Sequence, residues 1–184
     1  MRRVLNKVES NREGIEQLNT FPSIKTIILC LLVIIFLLGS IPIQVLVASD
    51  FKTDEYLKSW RISHGEEFSV IYTHSVQLTP VSEIYLINKD EIILKETYFH
   101  SYGAGLPSTT KYKFEITEDG FRIYDINEIM NNLIYRTGAV RANHKLLLGG
   151  KEYKFLDFSK PREGVRLEVR NISTFKYIIK EGLK

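Results

Sequence analysis

From Thr26 to Ser49 the chain runs for 24 residues without a charge, T-I-I-L-C-L-L-V-I-I-F-L-L-G-S-I-P-I-Q-V-L-V-A-S. A membrane-spanning helix needs about 20 mostly apolar residues to cross about 30 Å of hydrocarbon. The run is long enough, and no polar face opposes its apolar residues as in the surface helix of a small domain. It predicts a transmembrane anchor over residues 26–49. Gly39 and Pro42 fall in its outer third, where the proline removes a helix hydrogen bond and ends or kinks the helix. Five basic residues precede the run (Arg2, Arg3, Lys7, Arg12, Lys25), and only Lys52, Lys58 and Arg61 follow closely. That asymmetry puts residues 1–25 in the cytoplasm and the C-terminal part outside the cell membrane. The rival reading is a cleaved signal peptide, cut at Leu46-Val47-Ala48 or Val47-Ala48-Ser49. The apolar stretch exceeds the usual length of about 7–15 residues, which favours an uncleaved, single-pass anchor.

The rest of the chain, 50–184, holds 20 basic and 19 acidic residues. A nucleic-acid-binding domain would show a clear basic excess, so that class is excluded. The charge is uneven, however. From Arg136 to Lys184 there are 12 basic and five acidic residues, a surface suited to solvent, to anionic lipid headgroups or to an acidic partner. The single cysteine, Cys30, lies within the apolar run. It permits no intrachain disulfide, and Leu29 before it does not fit lipidation.

Beyond a linker over 50–59, period-two alternation dominates and predicts an extracytoplasmic β domain over 60–184. Phe68, Val70, Tyr72, His74 and Val76 alternate with Ser69, Ile71, Thr73 and Ser75, which is a strand with one apolar face. Val81–Ile87 and Ile92–Phe99 flank a turn at Asn88-Lys89-Asp90-Glu91. Glu118-Asp119-Gly120 and Gly149-Gly150 mark two further hairpins. Thr174–Ile179 reads as the last strand. One short helix is expected where Asp125 and Glu128 have capping-box spacing and Ile126, Ile129, Met130, Leu133 and Ile134 recur at helical intervals. Eight or nine short strands with one helix predict a mainly β sandwich or small barrel.

The polar residues that stand out lie in Y-T-H-S-V-Q-L-T-P-V-S-E, residues 72–83, and S-Y-G-A-G-L-P, residues 101–107. His74 and Ser75 are adjacent on a strand and point to opposite faces, which opposes a serine–histidine nucleophile pair. Glu83 alternates with Val81, Tyr85 and Ile87, and a carboxylate on such a face demands a partner. If the strands pair as a hairpin, His74 and Glu83 approach across it, either as a structural pair or as a site facing a cleft. The Ser101, Gly103, Ala104, Gly105 loop offers backbone N–H groups of the kind that cradle anions. It lacks the Gly-Lys-Ser/Thr ending of a P-loop. The four histidines show no metal-ligand spacing. No cofactor is called for.

The two motifs together resemble domain of unknown function family 1850. Members share a His-Ser-Val…Thr-Pro-Val-x-Glu segment and a Ser-x-Gly-Ala-Gly loop, matched here by His74, Ser75, Val76, Pro80, Glu83, Ser101, Gly103, Ala104 and Gly105. The resemblance implies a small membrane-anchored or extracytoplasmic protein with no assigned activity. It also implies association with a tripartite ATP-independent periplasmic (TRAP) transporter, with the permease or a TAXI-type solute-binding protein as partner. Paired C-terminal cysteines that some members carry are missing here. The expected function is therefore a transporter accessory protein. The alternatives are a module binding a small carboxylate at the glycine loop and a hydrolase using His74 and Glu83.

Overall fold

The computed structural model describes residues 22–101, 109–138 and 141–182. The uncharged run is two elements. Helix α1 spans Ile24–Ser40, and strand β1 spans Pro42–Asp50. Ser23 caps α1, its hydroxyl accepting from the Thr26 N–H at 3.3 Å. Ile41 closes it with an N–H donated to the Leu38 carbonyl, and Pro42 follows. The single helix expected over 26–49 is thus corrected, because its last third is strand. No helix among the described residues is long and apolar enough to cross a membrane. The chain divides into two compact units at this junction, Met1–Ile41 and Pro42–Lys184.

The second unit is mainly β. Its twelve described strands are β1, β2 (Tyr56–Arg61), β3 (Glu67–Thr73), β4 (Pro80–Asn88), β5 (Glu91–Phe99), β6 (Lys113–Thr117), β7 (Gly120–Tyr124), β8 (Glu128–Ile129), β9 (Leu133–Arg136), β10 (Lys145–Leu148), β11 (Lys151–Lys154) and β12 (Gly164–Ser173). They form two antiparallel sheets. The smaller has the order β2-β1-β12-β9. The larger runs β11-β10-β3-β4-β5-β7-β6, with β8 paired to β5. The two sheets share one core. Leu46, Ala48, Trp60, Leu133, Tyr135 and Leu167 from the first meet Phe68, Val70, Tyr85, Ile87, Ile92 and Leu146 from the second.

Strand β1 explains the length of the uncharged run. Leu46 and Ala48 face the shared core. Val45 and Val47 face the other way, into a cluster with Ile172, Tyr56 and Tyr177. A strand buried on both faces loses its polar alternation. All four side chains are at most 2% exposed. The cover on the outer face is helix α2 (Thr174–Glu181), capped by Ser173. This corrects the strand expected over 174–179. At its other end, Glu181 accepts from the Ser59 N–H at 2.7 Å and from the Tyr56 hydroxyl at 2.5 Å.

The helix expected after Asp125 is also absent. Asp125 and Asn127 have φ of 58° and 53°, a left-handed backbone that a right-handed helix cannot contain. The Met130 N–H instead donates to the Ile92 carbonyl at 2.8 Å. Leu133 and Tyr135 turn inward from β9, which pairs with β12. The linker expected over 50–59 is a tight turn at residues 51–53 followed by β2. In that turn Asp50 accepts from the N–H groups of Lys52 and Thr53. The three expected hairpins form at the expected places. A bulge in the β4–β5 pairing, where Ile84 faces Glu96 and Tyr85 faces Leu94, shifts the phase of β5. Leu94 therefore packs on the shared core, while Phe99 joins Val81, Ile123 and Ile126 in a second cluster.

The two parts of the uncharged run are predicted to respond differently to charge. Val47→Asp places a carboxylate in a fully packed strand and is expected to lower domain stability by about 3 kcal/mol or more. Val33→Asp in α1 is expected to leave the domain's unfolding midpoint unchanged. Thermal unfolding followed through the buried Trp60 measures both.

Candidate functional site

Glu83 lies on β4 between Val81 and Tyr85, opposite Val70 of β3. Strand alternation turns it inward with Tyr85, as the sequence requires. Its partners are tyrosines. The Tyr135 hydroxyl donates to Oε2 at 2.5 Å and the Tyr85 hydroxyl at 3.2 Å. The two hydroxyls are themselves 2.6 Å apart. Tyr85 and Tyr135 come from opposite sheets, so the carboxylate ties the two layers together.

Aromatic rings enclose this group. Tyr85 stacks on Phe68 with centroids 5.1 Å apart. His144, just before β10, stacks on Tyr72 at 5.2 Å and lies 5.7 Å from Tyr135 and 5.6 Å from Phe155. His144 is buried, and its Nδ1 has no hydrogen-bond partner among the described residues. An imidazole without a carboxylate beside it is favoured neutral when buried, and burial pulls His144 down to about 4. Burial pushes Glu83 up against the two hydroxyl donors, which favour its charged form. All three tyrosines are pushed up, chiefly by burial. Tyr85 and Tyr135 act here as hydrogen-bond donors, and Tyr72 contributes its ring.

The other sequence candidates sit apart from this cluster. His74 follows the last residue of β3 and organises the β3–β4 loop. Its Nδ1 accepts from the N–H groups of Val76 and Gln77 at 3.3 and 3.2 Å. Its own N–H donates to the Thr79 carbonyl, and its carbonyl accepts from Leu78. The hairpin forms, yet His74 bonds the loop and Glu83 bonds the tyrosines. Ser75 is exposed. The Ser101 hydroxyl lies 3.4 Å from Thr79 Oγ1. Gly103, Ala104 and Gly105 lie outside the described residues, as does any anion cradle built from them. Among the described residues, no three His, Cys, Asp or Glu side chains are placed to hold a metal ion.

The sequence reading located Glu83 and its need for a partner but missed Tyr85, Tyr135 and His144. Tyr85 was visible two residues along the same face. Tyr135 stood just after the segment read as helix, and 52 residues separate it from Glu83, so no local pattern joins them. A groove of about 760 Å³ opens elsewhere, between the turn after β1 and residues 156–160. Its acids and lysines are mixed, and Asp50 is already held by Thr53.

Residues 68–155 match the model of a family described as Domain of unknown function (DUF1850). This segment belongs to that family. No curated protein and no solved structure matches the chain. The DUF1850 segment runs from Phe68 on β3 to Phe155 and takes in Glu83, all three tyrosines, His144 and the His74 loop. Strands β1, β2 and β12 lie outside it.

Chemically the cluster can hold a proton on Glu83 and fix its orientation. A nucleophile in contact with it is missing among the described residues, since Ser75 and Ser101 are engaged elsewhere or exposed. Tyr135→Phe is expected to cost about 1–3 kcal/mol, because it removes a donor from a buried carboxylate. Glu83→Gln, which removes the buried charge, is expected to cost less. Chemical denaturation of both variants tests the order.

An unfolded histidine titrates near 6.5, whereas His144 does so at about 4. Between those values the unfolded chain takes up a proton that the folded chain refuses, so His144 costs stability as pH falls. Glu83 acts in the opposite sense. The fold raises its pKa, so acidification through that value adds stability until the unfolded carboxyl titrates near 4.5. His144→Phe is expected to recover on the order of 3 kcal/mol at pH 4 relative to pH 8. Denaturation midpoints across that range give the slope.

Proposed function

We propose that this chain is a membrane-tethered, extracytoplasmic accessory module of a TRAP-type solute transporter, with a structural rather than catalytic β domain. One observation carries the tether. Along α1 the large apolar side chains from Ile27 to Leu38 are all 46–66% exposed, while the β domain packs most of its own into shared clusters. A helix apolar all round needs an apolar surrounding. Its 17 residues rise about 25 Å, less than a typical hydrocarbon core, and bilayers accommodate short segments by local thinning. The extracytoplasmic side follows from the distribution of Lys and Arg, and the transporter partner from the family resemblance. The non-catalytic reading is supported by His74, whose Nδ1 is engaged by loop N–H groups, and by Glu83, held between two tyrosine hydroxyls.

Strand β1 supports retention of the tether. Both candidate cleavage sites lie within residues 46–49, which pair with β12 on one side and with β2 on the other. Cutting there removes the strand that joins β2 to the rest of its sheet. The chain isolated from membranes is therefore expected to have the mass of the full sequence, and a mass beginning at Ser49 or Asp50 would contradict the reading. Mild-detergent purification of the tagged chain, coexpressed with a TRAP permease and its solute-binding protein, is expected to recover one of them. Recovery of the chain alone at several detergent strengths removes the transporter role.

A further inference from the structure

Helix α2 has two unlike sides. Tyr177 packs toward β1, beside Val45, Val47 and Ile172. Glu181, the acid of this helix, turns the same way. It is held by Tyr56 and Ser59, and its Oε2 lies 3.7 Å from Lys58. Ile179 lies on the opposite side and Ile178 on the flank, 61% and 52% exposed. Lys176 and Lys180 stand exposed next to them, Lys180 with its ammonium 4.9 Å over the Tyr56 ring. The carboxylate of the helix is bound toward the sheet, Lys180 lies over the Tyr56 ring, and Lys176, Ile178 and Ile179 are exposed.

We propose that this side of α2 lies against an anionic lipid surface. Short amphipathic helices bind the membrane interface by burying apolar side chains among the headgroups, with lysines attracted to lipid phosphates. Lysine stems lie along the apolar boundary while the ammonium reaches the headgroup. The C-terminal stretch agrees in sign, with 12 basic against five acidic residues over 136–184, of which Lys145, Lys160, Arg166 and Arg170 pair with carboxylates. A protein-binding patch of this size is more often centred on Trp, Tyr or Arg, and the exposed side here offers isoleucine and lysine. The proposal rests in part on the tethered reading, which keeps the domain close to a bilayer.

The experiment uses the full chain in vesicles, with Cys30→Ser removing the native thiol. An environment-sensitive fluorophore is attached at Ile179→Cys in one sample and at Val33→Cys in another. Vesicles are phosphatidylcholine alone or with phosphatidylglycerol, each with and without spin-labelled lipid as quencher. The position-33 probe reports insertion of α1, and the position-179 probe reports α2. The expected result is quenching at position 33 in both lipids, with quenching at 179 that rises about twofold with phosphatidylglycerol. Salt and the Lys176→Gln, Lys180→Gln pair should reverse that rise, with the unfolding midpoint unchanged.

A quenched position 33 with position 179 in water overturns the α2 proposal and leaves the tether standing. Quenching at 179 that ignores lipid charge also overturns it. An unquenched position 33 overturns the tether. In that case phosphatidylglycerol-dependent quenching at 179 still supports α2 as a lipid-binding surface, and its absence overturns both.

Discussion

Strand β1 is the constraint on which the domain depends. It is hydrogen-bonded to β12 along nine residues and to β2 on its other edge. It packs against the larger sheet on one face and receives α2 on the other. Residues 45–48 have no solvent boundary, so a polar residue there has nowhere to place its hydrogen bonds. The apolar content of the strand, the closure of the smaller sheet and the position of the C-terminal helix are three results of one burial.

The same burial limited what the sequence could reveal. A strand apolar on both faces carries no period of two, and joined to an apolar helix by one residue, Ile41, it reads as a single long segment. Pro42 marked the true boundary, and it reads as a kink only if the helix is assumed to continue. The hairpins were legible because their signals are local, as at Gly149-Gly150 between β10 and β11. The stretch after Asp125 misled for the opposite reason. Its apolar spacing fits a helix, and the left-handed backbone at Asp125 and Asn127 that forbids one is imposed by pairing with β5. The Thr174–Ile179 segment looked extended because its inward residue, Tyr177, is set by the surface of β1, which lies 130 residues earlier in the chain.

At the candidate site, strand alternation was enough to turn Glu83 inward and to require a partner. It could not supply that partner, since Tyr135 arrives from the other sheet. The first motif therefore divides into two roles. Its histidine shapes a loop through backbone N–H groups, and its glutamate fastens two layers through phenolic hydroxyls. His74 and Glu83, which resemble a catalytic pair, are accounted for by separate structural tasks, one in the loop and one in the middle of the β3–β4 hairpin.

Glu181 does more than seat α2. Strand β2 is an edge of the smaller sheet, and an edge with open backbone groups invites pairing with another chain. The Ser59 N–H points away from β1 and is occupied by the Glu181 carboxylate. The C-terminal helix thus acts as a stopper on that edge, satisfying a donor that a foreign strand would otherwise use. The group that occupies this donor lies more than 120 residues downstream of the strand that carries it.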